Sequence, residues 1–459
     1  MLLRNLLAAP LLLLGAVRAV TITENTVDRG LLSVGLNGVT VEDGVYWSII
    51  DNFVTAFLGS VDVGTGSGLY ISSSSSLLAL TVTLLPALGD FKNDGIVSFD
   101  ALKSLTPPIY NIVGISFTNN GEMYLGGDGS VGIPVFTLTS PVWDNNGLLV
   151  FYQNHRSTSV VSLGTPLSTI NNNGQICLYN SLYTQLTNIV GHGCITANQD
   201  SSIFLSNTLL NVDPNQIFVL RDSQSSLRAT AISVPKTFVV SGFGNGNKIG
   251  LDIPLINLPP LLDAWDYDGT SGILTLRGAG LLSQKFKIGT GYDKNLFSIV
   301  TDDDVGLLSV LFGAVTYSGP VPSPALPAQC TECKTLPEIP EANPTTTITS
   351  TWTGTFTTTI TETDTQGGTD TVIIEVPTSY GPNPTTTITS TWTGTVTTTV
   401  TETDTPGGTD TVIVEVPSSY GPNPTTTITS TWTGPIKLRS KPNYYHHFYS
   451  DWYLHHYCY

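Results

Sequence analysis

Asp94-Gly95-Ile96-Val97-Ser98-Phe99, Asn120-Gly121-Glu122-Met123-Tyr124-Leu125, Asn146-Gly147-Leu148-Leu149-Val150-Phe151-Tyr152 and Asn173-Gly174-Gln175-Ile176-Cys177-Leu178-Tyr179 are four versions of one phrase. Each is an Asx-Gly corner followed by an apolar, strand-like run. Asp43-Gly44-Val45-Tyr46-Trp47 and Ser67-Gly68-Leu69-Tyr70-Ile71 extend the phrase upstream, and a shorter last step reaches Gly193-Cys194-Ile195. The successive glycines are 24, 27, 26, 26, 27 and 19 residues apart. A repeat of that length is one coil of a parallel β-helix, three short strands joined by turns. Gly and Asn at the corners are expected to supply positive φ, and stacked Asn side chains to form ladders from coil to coil. The competing fold is a β-sandwich of hairpins, which predicts turn signals about every 8 to 12 residues without a preserved coil length.

The rhythm fades after about residue 235. GFGNGNKIGLDIPL from Gly242, WDYDGTSGILTLRG from Trp265 and QKFKIGTGYDKNLFSIV from Gln284 are strand-like pieces between longer Gly/Asp turns. They predict a smaller β-domain that covers the otherwise unpaired last coil. Farther on, NPTTTITSTWTG recurs at Asn343, Asn383 and Asn423, a period of 40 with Trp352, Trp392 and Trp432 in register. This Thr-rich, Pro-flanked composition predicts an O-glycosylated stalk; the chain contains no Asn-x-Ser/Thr sequon. Its alternating TVIIEV (371–376) and TVIVEV (411–416) also suit a small β-unit per repeat and make lateral pairing between molecules an option. The expected organisation is a signal peptide over 1–19, a parallel β-helix over 20–239, a small β-sandwich-like domain over 240–335, repeats over 336–434 and an atypical tail over 435–459.

The leader rests on Arg4, the apolar run Leu6–Gly15 and the small residues around Ala19. That run is shorter than the roughly 20 residues of a membrane span. The tail PIKLRSKPNYYHHFYSDWYLHHYCY is abruptly basic and rich in His and Tyr. It lacks the small residues and hydrophobic stretch of a lipid-anchor signal, so a truncated or frame-shifted end is expected. A metal-binding role for His446, His447, His455 and His456 is the less favoured reading. The charged residues are 12% of the chain and its formal net charge is −17. That balance argues against nucleic acid or anionic lipid as a partner.

There are five cysteines, and a secreted context makes disulfides the expectation. Cys177 and Cys194 follow their coil glycines by three residues and one, so both are expected on the same side of adjacent coils. Coils about 4.8 Å apart are within disulfide reach, and Cys177–Cys194 is the expected bond. Cys330 and Cys333 then form a structural clasp, or else pair across to Cys177 and Cys194; Cys458 is left odd.

The head opening VTITENTVDRG, the NNG-punctuated strands with GQICLYN, and the Cys-x-x-Cys at 330–333 resemble the hyphally regulated cell-wall proteins of yeasts over residues 20–335. The WTGT…TTT…GGTDTVIIEVP repeats resemble those of yeast agglutinin-type and flocculin-type adhesins. The resemblance implies a right-handed β-helix head, a small β-sandwich and a glycosylated stalk, with a role in the wall or in adhesion. It implies no catalytic residues and no shared, well-defined ligand; the expected partners are surface ligands of glycan or protein type, and no cofactor is expected.

Motifs for nucleophilic hydrolysis, phosphate binding and zinc proteolysis are absent from the sequence. Gly191-His192-Gly193 resembles the Gly-His-Gly of polygalacturonases, and Asp302-Asp303-Asp304 offers paired carboxylates, so a secreted polysaccharide hydrolase is the alternative function. Against it, that family's aspartates precede its Gly-His-Gly, and its Asn-Thr-Asp and Arg-Ile-Lys are missing here. Trp47, Tyr70, Tyr124, Trp143 and Tyr152 are spaced like a binding face, but aromatics at coil spacing also build core ladders, and no site is assigned to them.

Overall fold

The structure is a computed structural model that describes residues 19–30, 34–84, 89–207, 209–257 and 262–341, together with the backbone of seven strands in the repeats. Residues 1–18 of the expected leader and the tail 435–459, with Cys458 and its four histidines, lie outside the described residues. Residues 1–340 form one compact unit and 341–459 a second.

The first unit is a parallel β-solenoid. Each coil places one strand in each of three sheets, and the first sheet, with eight strands, marks eight coils. A representative coil is Ser116–Asn119, Glu122–Gly127 and Val135–Leu138. It stacks on Asp90–Asn93, Ile96–Ala101 and Ile109–Ile112 with every strand parallel and in register. Strand alternation sends one set of side chains into the interior, where like stacks on like: Phe91 on Phe117, and Phe117 on Trp143 with ring centroids 5.1 Å apart.

The corners explain the sequence signal, with one correction. Gly95, Gly121, Gly147, Gly174 and Gly193 are not among the positive-φ residues. They are glycine because the backbones approach too closely for a side chain. A methyl group on Gly121 would overlap the carbonyl oxygen of Gly95, one on Gly147 that of Gly121, and one on Gly174 that of Gly147. Positive φ holds at Gly44 (77°) and Gly66 (69°) instead. The expected Asn ladder is present and double. Asn93, Asn119, Asn145 and Asn172 are buried and linked amide to amide at 2.7, 2.8 and 2.9 Å. The file ends on Gln216, whose side chain accepts from Asn172 at 3.1 Å. Outside it, Asp94, Asn120, Asn146 and Asn173 form a second, exposed file.

Two early steps differ from the reading of the glycines. Tyr46 lies opposite Gly68 and Gly68 opposite Ile96, offsets of 22 and 28 residues, because the turn glycine of that coil is Gly66.

At the N-terminal end the edge strand Thr26–Arg29 directs Asp28 to the same side as the interior Trp47 and Ile49, and Asp28 accepts from the Trp47 indole N–H at 2.8 Å. An inward charge on an edge strand discourages further pairing there.

At the other end, the expected boundary at 239/240 falls inside strand Thr237–Ser241. The following region extends two of the solenoid sheets, with Ser283–Lys287 joining Thr237–Ser241 in parallel and the other added strands antiparallel. Ser283–Lys287, Ile273–Arg277 and Trp265–Asp268 continue the second sheet, and Val310–Tyr317 and Phe297–Asp302 the third. Phe243, Tyr267, Tyr292, Phe297 and Tyr317 pack in the same core cluster as the solenoid interior.

In the second unit, Thr345–Trp352 pairs in parallel with Asp370–Pro377, and 40 residues later Thr385–Thr389 pairs with Asp410–Val412 in the same register. The TVIIEV segment has both edges occupied, since Thr358–Glu362 pairs with it on the other side. Lateral pairing through that strand would have to displace a partner within its own repeat.

Candidate functional site

After the terminal strands the chain turns back and crosses the outer flank of the second sheet as a strap, near 326–336. Two disulfides fasten it, Cys194–Cys330 and Cys177–Cys333, with Cα separations of 5.5 and 5.8 Å. The expected Cys177–Cys194 bond does not form. Both side chains do face outward, but Cys194 stands opposite Gln175 and Cys177 opposite Thr196. They are therefore diagonal neighbours, about 7–8 Å apart at Cα rather than directly paired, beyond the usual span of a disulfide. The cross-pairing alternative is the arrangement observed.

Between and beside the disulfides the strap is held by polar contacts. Gln329 donates to the carbonyls of His192 (2.7 Å) and Asn215 (2.6 Å), and the Thr331 N–H donates to the Gln175 side chain at 3.2 Å. Arg221 pairs with Glu332 at 3.1 Å and Lys334 with Glu122. Beneath lie Tyr124, Leu148, Val150, Cys177 and Tyr179, with Cys333 and Leu336 packed on them. Burial raises the Tyr124 hydroxyl, and its hydrogen bond to Glu122 raises it further. Burial works upward on Glu122 as well, but Lys334 and Tyr124 outweigh it and hold that carboxyl low. Under Val321–Pro327 a crevice of about 250 Å³ is lined by Ile217, Val239, Lys287 and Tyr292.

The aromatic residues weighed as a face do not form one. Trp47 and Trp143 belong to the interior, whereas Tyr124 and Tyr152 belong to the strap-covered flank. Tyr70 is also buried.

The pieces of a hydrolase are not assembled. His192 is exposed at the corner between the first and second sheets, beside Gly191 with φ 98°, and its carbonyl accepts from Gln329. Asp302, Asp303 and Asp304 sit over the outer flank of the third sheet. Arg228, itself 2% exposed, donates from Nε to Asp302 at 2.5 Å and from Nη1 to the Leu308 carbonyl at 2.7 Å. Lys248 pairs with Asp303 at 2.8 Å and Asp304 at 3.3 Å, and Ser226 donates to Asp304. Arg156 ties the Val305 carbonyl at 2.7 Å. Burial pushes Asp302 up to about 6, Arg228 opposes that, and the neighbouring Asp304 adds to it. These carboxylates pin a surface loop to the sheet. Sequence spacing missed this network because Arg228 and Asp302 are 74 residues apart. No group of three or more His, Cys, Asp or Glu with metal-holding geometry exists among the described residues.

Part of the third sheet's outer flank is uncovered. Ile109, Val135 and Val160 form an exposed aliphatic file, and Asn111, Thr137 and Ser162 run beside it. Among the described residues no helix is long and apolar enough to cross a membrane.

Comparison with known proteins gives two matches. The description "Hyphally regulated cell wall protein N-terminal" fits residues 10–340, and "Candida agglutinin-like (ALS)" fits residues 346–377 and 386–417. Among curated proteins, "Hyphally regulated cell wall protein 3" of Candida albicans is 55% identical over 342 residues, 74% of this chain and 27% of that protein. From the same organism, "Cell wall protein IFF9" is 52% identical over 75% of this chain and 37% of that protein. "Cell wall protein IFF6" is 46% identical over 76% of this chain and 32% of that protein. The chain thus spans well under half the length of these relatives.

Proposed function

The chain belongs to the hyphally regulated cell wall protein family, and from that premise we propose that it is a non-enzymatic cell-surface protein of a fungal wall. In this reading the solenoid is a head for attachment to host cells, neighbouring cells or inert surfaces, and the Thr-rich repeats carry it. The observation that supports it most is the order of the two matches: a cell-wall-protein head over residues 10–340, followed directly by agglutinin-like repeats. A structural role in the wall itself, without a saturable ligand, is the neighbouring reading.

The geometry favours attachment over hydrolysis. Glycoside hydrolysis needs two carboxyl groups facing one sugar bond across a cleft, at a separation of about 5 to 10 Å. Here the paired aspartates are engaged by Arg228, Lys248 and Ser226, and His192 is on another corner of the coil. The charge of −17 suits glycan or protein surfaces better than polyanions.

The test is binding of the fluorescent mature chain to mammalian cells, plastic and a glycan array, with pectin turnover assayed in the same samples. Saturable binding without turnover is the expected result. Turnover lost in His192→Ala would replace this reading with a hydrolase, and neither signal would leave the passive wall component.

A further inference from the structure

We propose that the strap disulfides are a mechanical bypass: a pull arriving from the repeats enters the solenoid at Cys177 and leaves residues 178–332 unloaded. The biological source of that pull rests on the attachment reading above; the load path itself does not.

The argument follows the chain backwards from the repeats. Before any covalent tie it meets, among other contacts, Leu336 beside Gly126 and the Lys334–Glu122 ion pair, both partly exposed. Exposed ion pairs hold weakly. The first covalent tie is Cys333–Cys177, and it closes a ring with a sequence separation of 156 residues. Everything inside that ring, namely the last solenoid coils, the sheet extensions and the Arg228–Asp302 network, is in parallel with a single disulfide. Tension passes through the bond and not through the ring. Cys194–Cys330, with a separation of 136, is nested inside the first and repeats its function should the outer bond open.

The point of entry matters. Cys177 is in the middle of Gln175–Tyr179, which is hydrogen-bonded in parallel to Leu148–Gln153 on one side and Cys194–Asn198 on the other. Without the bonds, load would first lift the strap and then pull on Val310–Tyr317 from its Tyr317 end, beside Phe297–Asp302, the outermost strand of the third sheet. A strand pulled from one end comes away by opening its hydrogen bonds in sequence; a strand tied at its centre does not offer that route. The bypass therefore moves the load from the frayable end of the fold to an interior coil.

The experiment is single-molecule stretching of the full mature chain between handles at its two ends, before and after adding a phosphine reductant. No ligand is involved, so loss of the attachment reading would leave the outcome unchanged. Reduction should lengthen the fully extended chain by the 156 ring residues, about 510–560 Å at roughly 3.3–3.6 Å per residue. The double variant Cys177→Ser/Cys333→Ser still has the nested bond, and 156 − 136 leaves 20 residues released, about 70 Å. The load path is read from rupture forces. Phe238→Leu, inside the ring, should lower the first rupture force only after reduction, while Phe117→Leu, outside it, should lower it in the oxidised state. An oxidised protein in which Phe238→Leu weakens the first rupture, or a chain whose length reductant does not change, overturns the proposal.

Discussion

Removing the two disulfides singly and together should give a non-additive result whose size follows from their nesting. Their sequence separations are 156 and 136 residues. In the loop-entropy description either bond alone restrains the unfolded chain by about 5 kcal/mol. With one bond in place, the other closes only the small ring between them, 156 − 136 = 20 residues, which contributes about 3 kcal/mol. Cys177→Ser/Cys333→Ser and Cys194→Ser/Cys330→Ser should therefore each cost about 3 kcal/mol, and the quadruple variant about 8 rather than 6 kcal/mol. Urea unfolding followed by circular dichroism measures all four proteins, with slopes compared to detect changes in the unfolded state. A quadruple variant no worse than the sum of the doubles would refute the reasoning. So would one double costing about 5 kcal/mol while the other costs nothing, because the bonds would then not enclose one another.

The corner glycines separate close approach from positive φ. Gly44, at φ 77° with open space around it, should accept Asn at nearly no cost, while Gly121→Asn should cost about 3 kcal/mol or more, read as a drop in urea midpoint. Asn145→Ala interrupts the buried amide file and strands one N–H of Asn119 and the Asn172 oxygen, a loss of about 2–5 kcal/mol in the same assay. The Asp302 carboxyl, pushed up to about 6 by burial against Arg228's opposing effect, should give a characteristic pH dependence. Its folded value exceeds the unfolded value near 3.9, so the folded state binds the extra proton and stability falls as pH rises from about 4 to about 6. Asp302→Asn should remove that slope, a relative change of ~1–3 kcal/mol; parallel curves for the two proteins across pH 4–7 would refute the assignment.

The solenoid was legible because its constraint is repeated. Gly121, Gly147, Gly174 and Gly193 are each required by the coil before, and the Asn two residues ahead of each of the first three bonds its counterpart. A local requirement imposed at every coil leaves a period in the sequence. The reason for the glycines was misjudged, since composition alone does not separate a left-handed φ from a close carbonyl. Gly68 was mistaken for a corner because it opens a strand two residues after the actual turn glycine. The disulfide pairing needed register as well as facing: Cys177 and Cys194 face the same way but are offset by two residues along the sheet. Contacts that occur once, such as Arg228–Asp302 and Glu122–Lys334, leave no period and join residues far apart in the chain.

Residues 20–340 contain a continuous core and both disulfides, so they can be tested apart from the repeats. The most direct measurement is the binding isotherm of this unit and of the full mature chain on the same cells and glycan array. The account predicts saturable binding with the same Kd for both, and no turnover by either. Binding confined to the chain that carries residues 341–434 would contradict it, because attachment would then reside in the repeats and the solenoid would be the part that carries them.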